Sequence, residues 1–174
     1  MSLPTSSLLD RLDYIPGQIR NYKGTQGIEL LDHYFAAVQH DGTNVGGVTV
    51  TEVHPCHLQK EFKRDPHSIY LSPNKDALVG VRRTFLISVE DSALRAAGLG
   101  QELVEWANNY FIETTGEPIH SDVGMPSAEG LGREEDDVWW DLHCRGKAVP
   151  YILSFKDYRR DYERLCWRML PPKL

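Results

Sequence analysis

A chain of 174 residues with 19 Lys and Arg against 25 Asp and Glu carries a formal net charge of −6. Its surface as a whole repels a phosphate backbone, so nucleic acid is not an expected partner. At 41% hydrophobic and 25% charged residues the composition is that of an ordinary globular domain with its own core, which excludes disordered, collagen-like and membrane-spanning classes.

Cys56, Cys144 and Cys166 are an odd and widely spaced set, read as free thiols in a reducing compartment rather than as a disulfide framework. No run of about 18 apolar residues occurs, and Met1 to Ser7 lacks both the basic and the apolar region of a secretory signal. A cytoplasmic protein with no membrane partner is expected.

One domain over residues 1–174 is expected, beginning with an arm over about 1–28. There Pro4, Pro16 and Gly17 interrupt short apolar groups, with a short helix around Leu8 to Leu12. Next comes an apolar segment, a turn marked by Asp41-Gly42 and Asn44, and the β-branched run Val45 to Val53, a good hairpin signal. His54 to Ala77, with Pro55, Pro66 and Pro73, is polar and irregular and reads as a connecting or substrate-side segment. Val79, Val81, Phe85, Ile87 and Val89 recur at period two and predict a central strand. Leu99, Leu103, Trp106, Ala107, Tyr110 and Phe111 follow at helical spacing, closed by Gly116. Glu117 to Val123 is a short strand candidate, and a glycine- and acid-rich loop covers 124–137. A helix ending near Gly146, a last strand, and an amphipathic charged helix over about 156–170 complete the chain.

The segment Arg95-Ala96-Ala97-Gly98-Leu99-Gly100 joins the central strand to the long helix. Glycines there let the backbone approach a ligand closely, while the free amides of the first helical turn and the helix dipole attract an anion such as phosphate. The spacing excludes a P-loop, and a dinucleotide fingerprint would need a third glycine where Leu103 stands.

Arg-x-x-Gly-x-Gly between a strand and an amphipathic helix resembles the acyl-CoA loop of the GNAT superfamily, the acyl-CoA-dependent N-acyltransferases. Arg95, Gly98 and Gly100 match it, with the strand Arg82 to Glu90 before them. "PIHSDV" and "DDVWWDLHCRGKAV" look like the family's fifth strand and the helix after it, and the order of elements matches over about Leu30 to Phe155. The resemblance implies an α/β (α+β) fold: a mixed, mostly antiparallel sheet flanked by helices. It also implies acetyl-CoA as co-substrate, with main-chain amides of Ala96, Ala97, Gly98, Leu99, Gly100 and Gln101 on the pyrophosphate. The edge at Ile87 to Glu90 would pair with the pantetheine arm where the fourth and fifth strands splay, and an N–H near Val89 would face the thioester oxygen. The "HSD" segment and its Trp-containing helix are also similar to GNAT-type proteins of tailed bacteriophages and mobile elements, for which the compartment would be host cytoplasm.

Transfer to an amine needs the amine neutral, so a base is useful. Glu90, at the end of the fourth strand, and His120 and Asp122, on one face of the fifth, are the candidates. The family's usual acid on the next helix is a tyrosine, whereas this helix offers Trp139, Trp140, Asp141, His143 and Cys144; Tyr151 lies beyond it. The Trp pair reads as core or interface anchors. His54, Cys56 and His57 do not complete a four-ligand zinc set, so no metal is expected. His120-Ser121-Asp122 is no triad, because adjacent strand residues point to opposite faces. Glu134, Glu135, Asp136 and Asp137 read as acids feeding a helix start. The expected acceptor is an amine on a small molecule or a protein, with a protein N-terminus, a lysine, a small amine and a modified nucleobase all open, and a homodimer is compatible with this reading. A GNAT-fold binding or structural protein without transfer activity is the alternative.

Overall fold

The computed structural model describes residues 6–23, 29–53, 81–122, 133–156 and 161–173. The hairpin signal is realised: β2 (Glu29–Val38) and β3 (Asn44–Val53) pair antiparallel. Gly42 turns the chain at φ +86°, and the Asp41 carboxylate accepts from Thr43 N–H at 2.9 Å. β1 (Asp13–Lys23) lies outside β2 and β4 (Arg83–Ser88) beside β3, giving an antiparallel sheet in the order β1-β2-β3-β4. β5 (Ala148–Lys156) and β6 (Asp161–Met169) form a separate antiparallel pair. Among the described residues His120 bridges both sheets, Arg83 of β4 in parallel and Arg168 of β6 in antiparallel sense. The fold class is therefore the expected one: antiparallel sheets with a mixed element, flanked by few helices.

Two expected boundaries are corrected. The arm over 1–28 contains α1 (Ser6–Leu9), with Leu9 and Leu12 buried, and then β1. Pro16 and Gly17, read as breakers, sit in β1 where its register to β2 shifts; at a sheet edge a proline's missing N–H removes no ladder bond. Gly17 is required there, since a Cβ would lie 2.4 Å from the Tyr34 carbonyl oxygen. The C-terminal helix expected over 156–170 is instead the strand β6. Its ladder with β5 and its contacts to the chain at Ile119 to Ser121 override the helical pattern of charges. Met169 N–H donates to Ile119 O at 3.0 Å and Ser121 N–H to Trp167 O at 2.9 Å, while Cys166, Trp167 and Met169 are buried.

Long and amphipathic as its spacing predicted, α3 (Leu99–Thr115) lays Leu99, Leu103, Val104, Ala107 and Phe111 on the sheet. They meet Phe35, Val48, Val50 and Ile87 in one core, each large side chain contributing about 1.5–3 kcal/mol by leaving water. Trp106, Tyr110 and Phe111 surround Phe35 edge-on. Asn108, buried in this apolar helix face, accepts from Ile119 N–H at 3.0 Å and donates to Leu170 O at 3.3 Å, tying α3 to the seam between the sheets. α4 (Arg133–Cys144) buries Val138, Trp139 and Leu142 and exposes Trp140.

The period-two expectation for β4 fails at one residue. Thr84 pairs with Val50 but Leu86 with Thr49, so Phe85 is an extra residue, a β-bulge. Phe85 and Leu86 are consequently exposed, whereas Ile87 and Val89 are buried. Val79 and the His54-Cys56-His57 group lie outside the described residues, as does 124–132 of the acidic loop.

Candidate functional site

The bulge coincides with the place where, among the described residues, the outer neighbour of β4 ends. At Thr84 the strand still donates to His120 O at 2.8 Å, and His120 N–H donates to Arg82 O at 2.8 Å. Beyond that point, among the described residues, side chains meet the backbone of this edge. Ile87 N–H donates to the Glu135 carboxylate of α4 at 2.9 Å. Arg95 folds back to donate from Nε to Val89 O and from an η-nitrogen to Glu90 O, both at 3.1 Å. Arg95 thus ties α2 (Ser92–Ala96) to the strand end.

A cavity of about 330 Å³ opens beside this edge, lined by Ile87, Val89, Arg95, Ala96, Gly100 and Gln101, with Ser92, Asp137 and Val138 completing the wall. Of the residues expected at a cofactor, Ala97, Gly98 and Leu99 do not line it, Leu99 being in the core. Gly98 opens α3 in the left-handed region, φ +93°, with no side-chain cap, so the first-turn amides lack an intrahelical acceptor and a side-chain one at the cap. A Cβ on Gly98 would find ordinary contact distances, 3.7 Å to Gln101 and 3.9 Å to an η-nitrogen of Arg145. Glycine is needed there for its φ and not for space. At Gly100 the reverse holds, since a Cβ would stand 3.0 Å from the Val138 side chain and 3.5 Å from Ile87. The Arg145 guanidinium, which sequence reading did not assign to the site, lies beside Gly98, paired with Asp141 at 2.8 Å, and lines a neighbouring cavity rather than this one.

His120, Asp122 and Tyr151 are brought together at the closed end of the seam. Tyr151 OH and His120 Nδ1 share a hydrogen bond of 2.8 Å. Burial first, then the charges of Arg83 and Arg168, hold the imidazole neutral down to about 4. Burial pushes the Tyr151 phenol up despite Arg83, and raises the thiol of Cys166, its partner across the β5–β6 ladder. Arg83, itself buried, donates to Ser121 O at 2.8 Å and lies 5.9 Å from the centre of the Tyr151 ring. Asp122 acts on both Cys166 and Glu135 electrostatically.

Glu90 is not part of this cluster. Its separation from Arg83 along the chain corresponds to roughly 20 Å of strand, so Glu90 and His120 do not serve one reacting atom. Glu90 borders a different cavity of about 600 Å³, with Ser88, Tyr34, Asn44, Gly46 and Gly47, on the face opposite to Ile87 and Val89. Sequence reading missed Arg83, Cys166 and the role of Glu135. Only the register of β4 and β6 reveals the first two, and no local pattern links Glu135 to Ile87.

Fold and site together define an α+β protein with a split sheet edge opening on a glycine-led helix mouth. No family model, curated protein or solved structure matches the chain. Among the described residues no group of His, Cys, Asp or Glu is arranged to hold a metal ion, and no helix is long and apolar enough to cross a membrane.

Proposed function

We propose that the protein binds acyl-CoA, with acetyl-CoA the natural first choice, and transfers the acyl group to an amine. One observation carries this reading: the stretch of β4 past His120, which no described strand pairs with, borders a cavity that reaches Gly100 and Gln101 at the α3 mouth. An extended ligand with amides in its length and an anion at one end suits that shape. The pyrophosphate would meet the α3 amides beside Arg145, and the pantetheine arm would run along Val89 and Ile87 toward the bulge.

In this arrangement the thioester lies near Asp122 and Tyr151, and Glu90 stands at the phosphate end, too far away to serve as the base. His120, neutral and weakly basic, positions Tyr151. The protonated phenol is suited to donate to the leaving thiolate, and Asp122 is the base candidate. The tyrosine that the resemblance expects on α4 is missing, which favours a second reading: a binding protein of the same fold without transfer.

Calorimetric titration with acetyl-CoA and CoA tests the first step, and thiol release over a panel of amines tests the second. Micromolar CoA binding that is weakened by Arg145→Ala in a folded protein supports the site. Absence of CoA binding would end the acyl-CoA reading, and binding without thiol release on any amine would favour the binding protein.

A further inference from the structure

Glu135 sits where a strand partner's carbonyl would sit. Its carboxylate accepts from Ile87 N–H at 2.9 Å at an edge where, among the described residues, no strand pairs with β4, and the cavity beside Ile87 continues to the α3 mouth. This seat is uncomfortable. The carboxylate is largely removed from water, and Asp122 and, on its own helix, Asp136 repel it, while the Ile87 amide favours its charge. A buried charge with incomplete compensation is readily exchanged for a neutral group that makes the same hydrogen bond.

We propose that Glu135 is an internal occupant of the β4 edge, holding Ile87 N–H until a ligand carrying an amide enters along the strand and supplies its own carbonyl oxygen. The exchange is non-covalent: one hydrogen bond to Ile87 is broken and one is formed, and the released carboxylate moves to water. The occupancy stands on the geometry alone. The identity of the displacing ligand, an amide chain with an anionic end, rests on the acyl-CoA reading.

The proposal carries a pH signature with a definite sign. Seated, the Glu135 carboxyl is pushed up to about 7, burial being the main cause; released to water it returns toward the ordinary value of about 4.3. The seated state therefore binds the proton more tightly, is favoured at low pH, and loses its advantage as pH rises through 7. Ligand access to the edge should improve over the same interval.

The test uses the full chain, ¹⁵N-labelled, as wild type, Glu135→Gln and Glu135→Ala, each checked for an unchanged thermal midpoint. The Ile87 amide resonance should titrate near pH 7 in the wild type and stay flat in Glu135→Gln. Glu135→Ala should bind CoA about tenfold more tightly at pH 6, as expected when the competent state no longer competes with an occupied one. Wild-type affinity should rise from pH 6 to 8 more than that of Glu135→Gln, which controls for titration of the CoA phosphates. An Ile87 amide with no Glu135-dependent titration, or a Glu135→Ala variant that binds CoA no better than wild type, overturns the proposal. If no variant binds CoA but the Ile87 titration is present, the acyl-CoA reading falls while the occupancy is supported.

Discussion

Gly98 and Gly100 are two positions apart and constrained by different physics, which makes them separable by substitution. Gly98→Ala makes only ordinary contacts but must hold φ +93°, at a cost of about 1–2 kcal/mol. Gly100→Ala keeps a helical backbone but drives a methyl to 3.0 Å from Val138. We expect Val138→Ala to relieve much of the Gly100→Ala penalty and none of the Gly98→Ala penalty, as measured by denaturant unfolding in two double-mutant cycles. Equal coupling in both cycles would refute the distinction. His120 supplies a second test at this scale. Its folded pKa lies below the unfolded value, so its contribution to stability is complete above about 6.5 and is lost as pH falls toward about 4. Thermal midpoints recorded over that range should fall less steeply for His120→Gln than for wild type. The glycine pattern itself was legible, because a strand-to-helix junction leaves a local signature. The reason for each glycine was not, since one is a dihedral and the other a distance to a helix nearly forty residues downstream.

Elements with a dominant local period were readable, and elements whose partner decides their state were not. α3 and the β2–β3 hairpin belong to the first kind, carrying helical apolar spacing and an Asp-Gly turn between apolar runs. β1 and β6 belong to the second. The charges of β6 fit a helix face, and only pairing with β5 and the segment at Ile119 to Ser121 makes it a strand. That distinction is testable through Ser121, whose hydroxyl accepts from Trp167 N–H at 2.9 Å in a buried setting. Ser121→Ala should cost about 1–3 kcal/mol by leaving that amide unpaired, read as a shift of the denaturant midpoint without change in slope. A surface helix at 161–169 would be indifferent to the change. The β4 edge was partly legible: its strand and turn were evident, but its closure by Glu135 joins parts of the chain that no window of sequence compares.

At the scale of the whole molecule, the two sheets share one core yet meet through the His120 bridge and the buried polar contacts around it. Asn108 is the central fastening, serving α3, Ile119 and Leu170 at once. Asn108→Leu should destabilise by about 2–3 kcal/mol, because it strands a buried donor and a buried acceptor together. Native-state hydrogen exchange should then show faster exchange at Ile119 and across β5–β6 before the β2–β3 amides respond. Uniform acceleration across both sheets would argue that the seam is no weaker than the rest.

Phe85 gives the molecule a change of parity. Side chains along a strand alternate like odd and even numbers, and one supernumerary residue swaps the two classes for everything downstream. Upstream of it Thr84 points inward; downstream it is Ile87 and Val89 that do so. Deleting Phe85 would restore a single alternation through β4 and remove the extra local twist that a bulge brings. The cavity beside Ile87 depends on that swap, and a chain one residue shorter at this point should be deaf to any ligand that enters there.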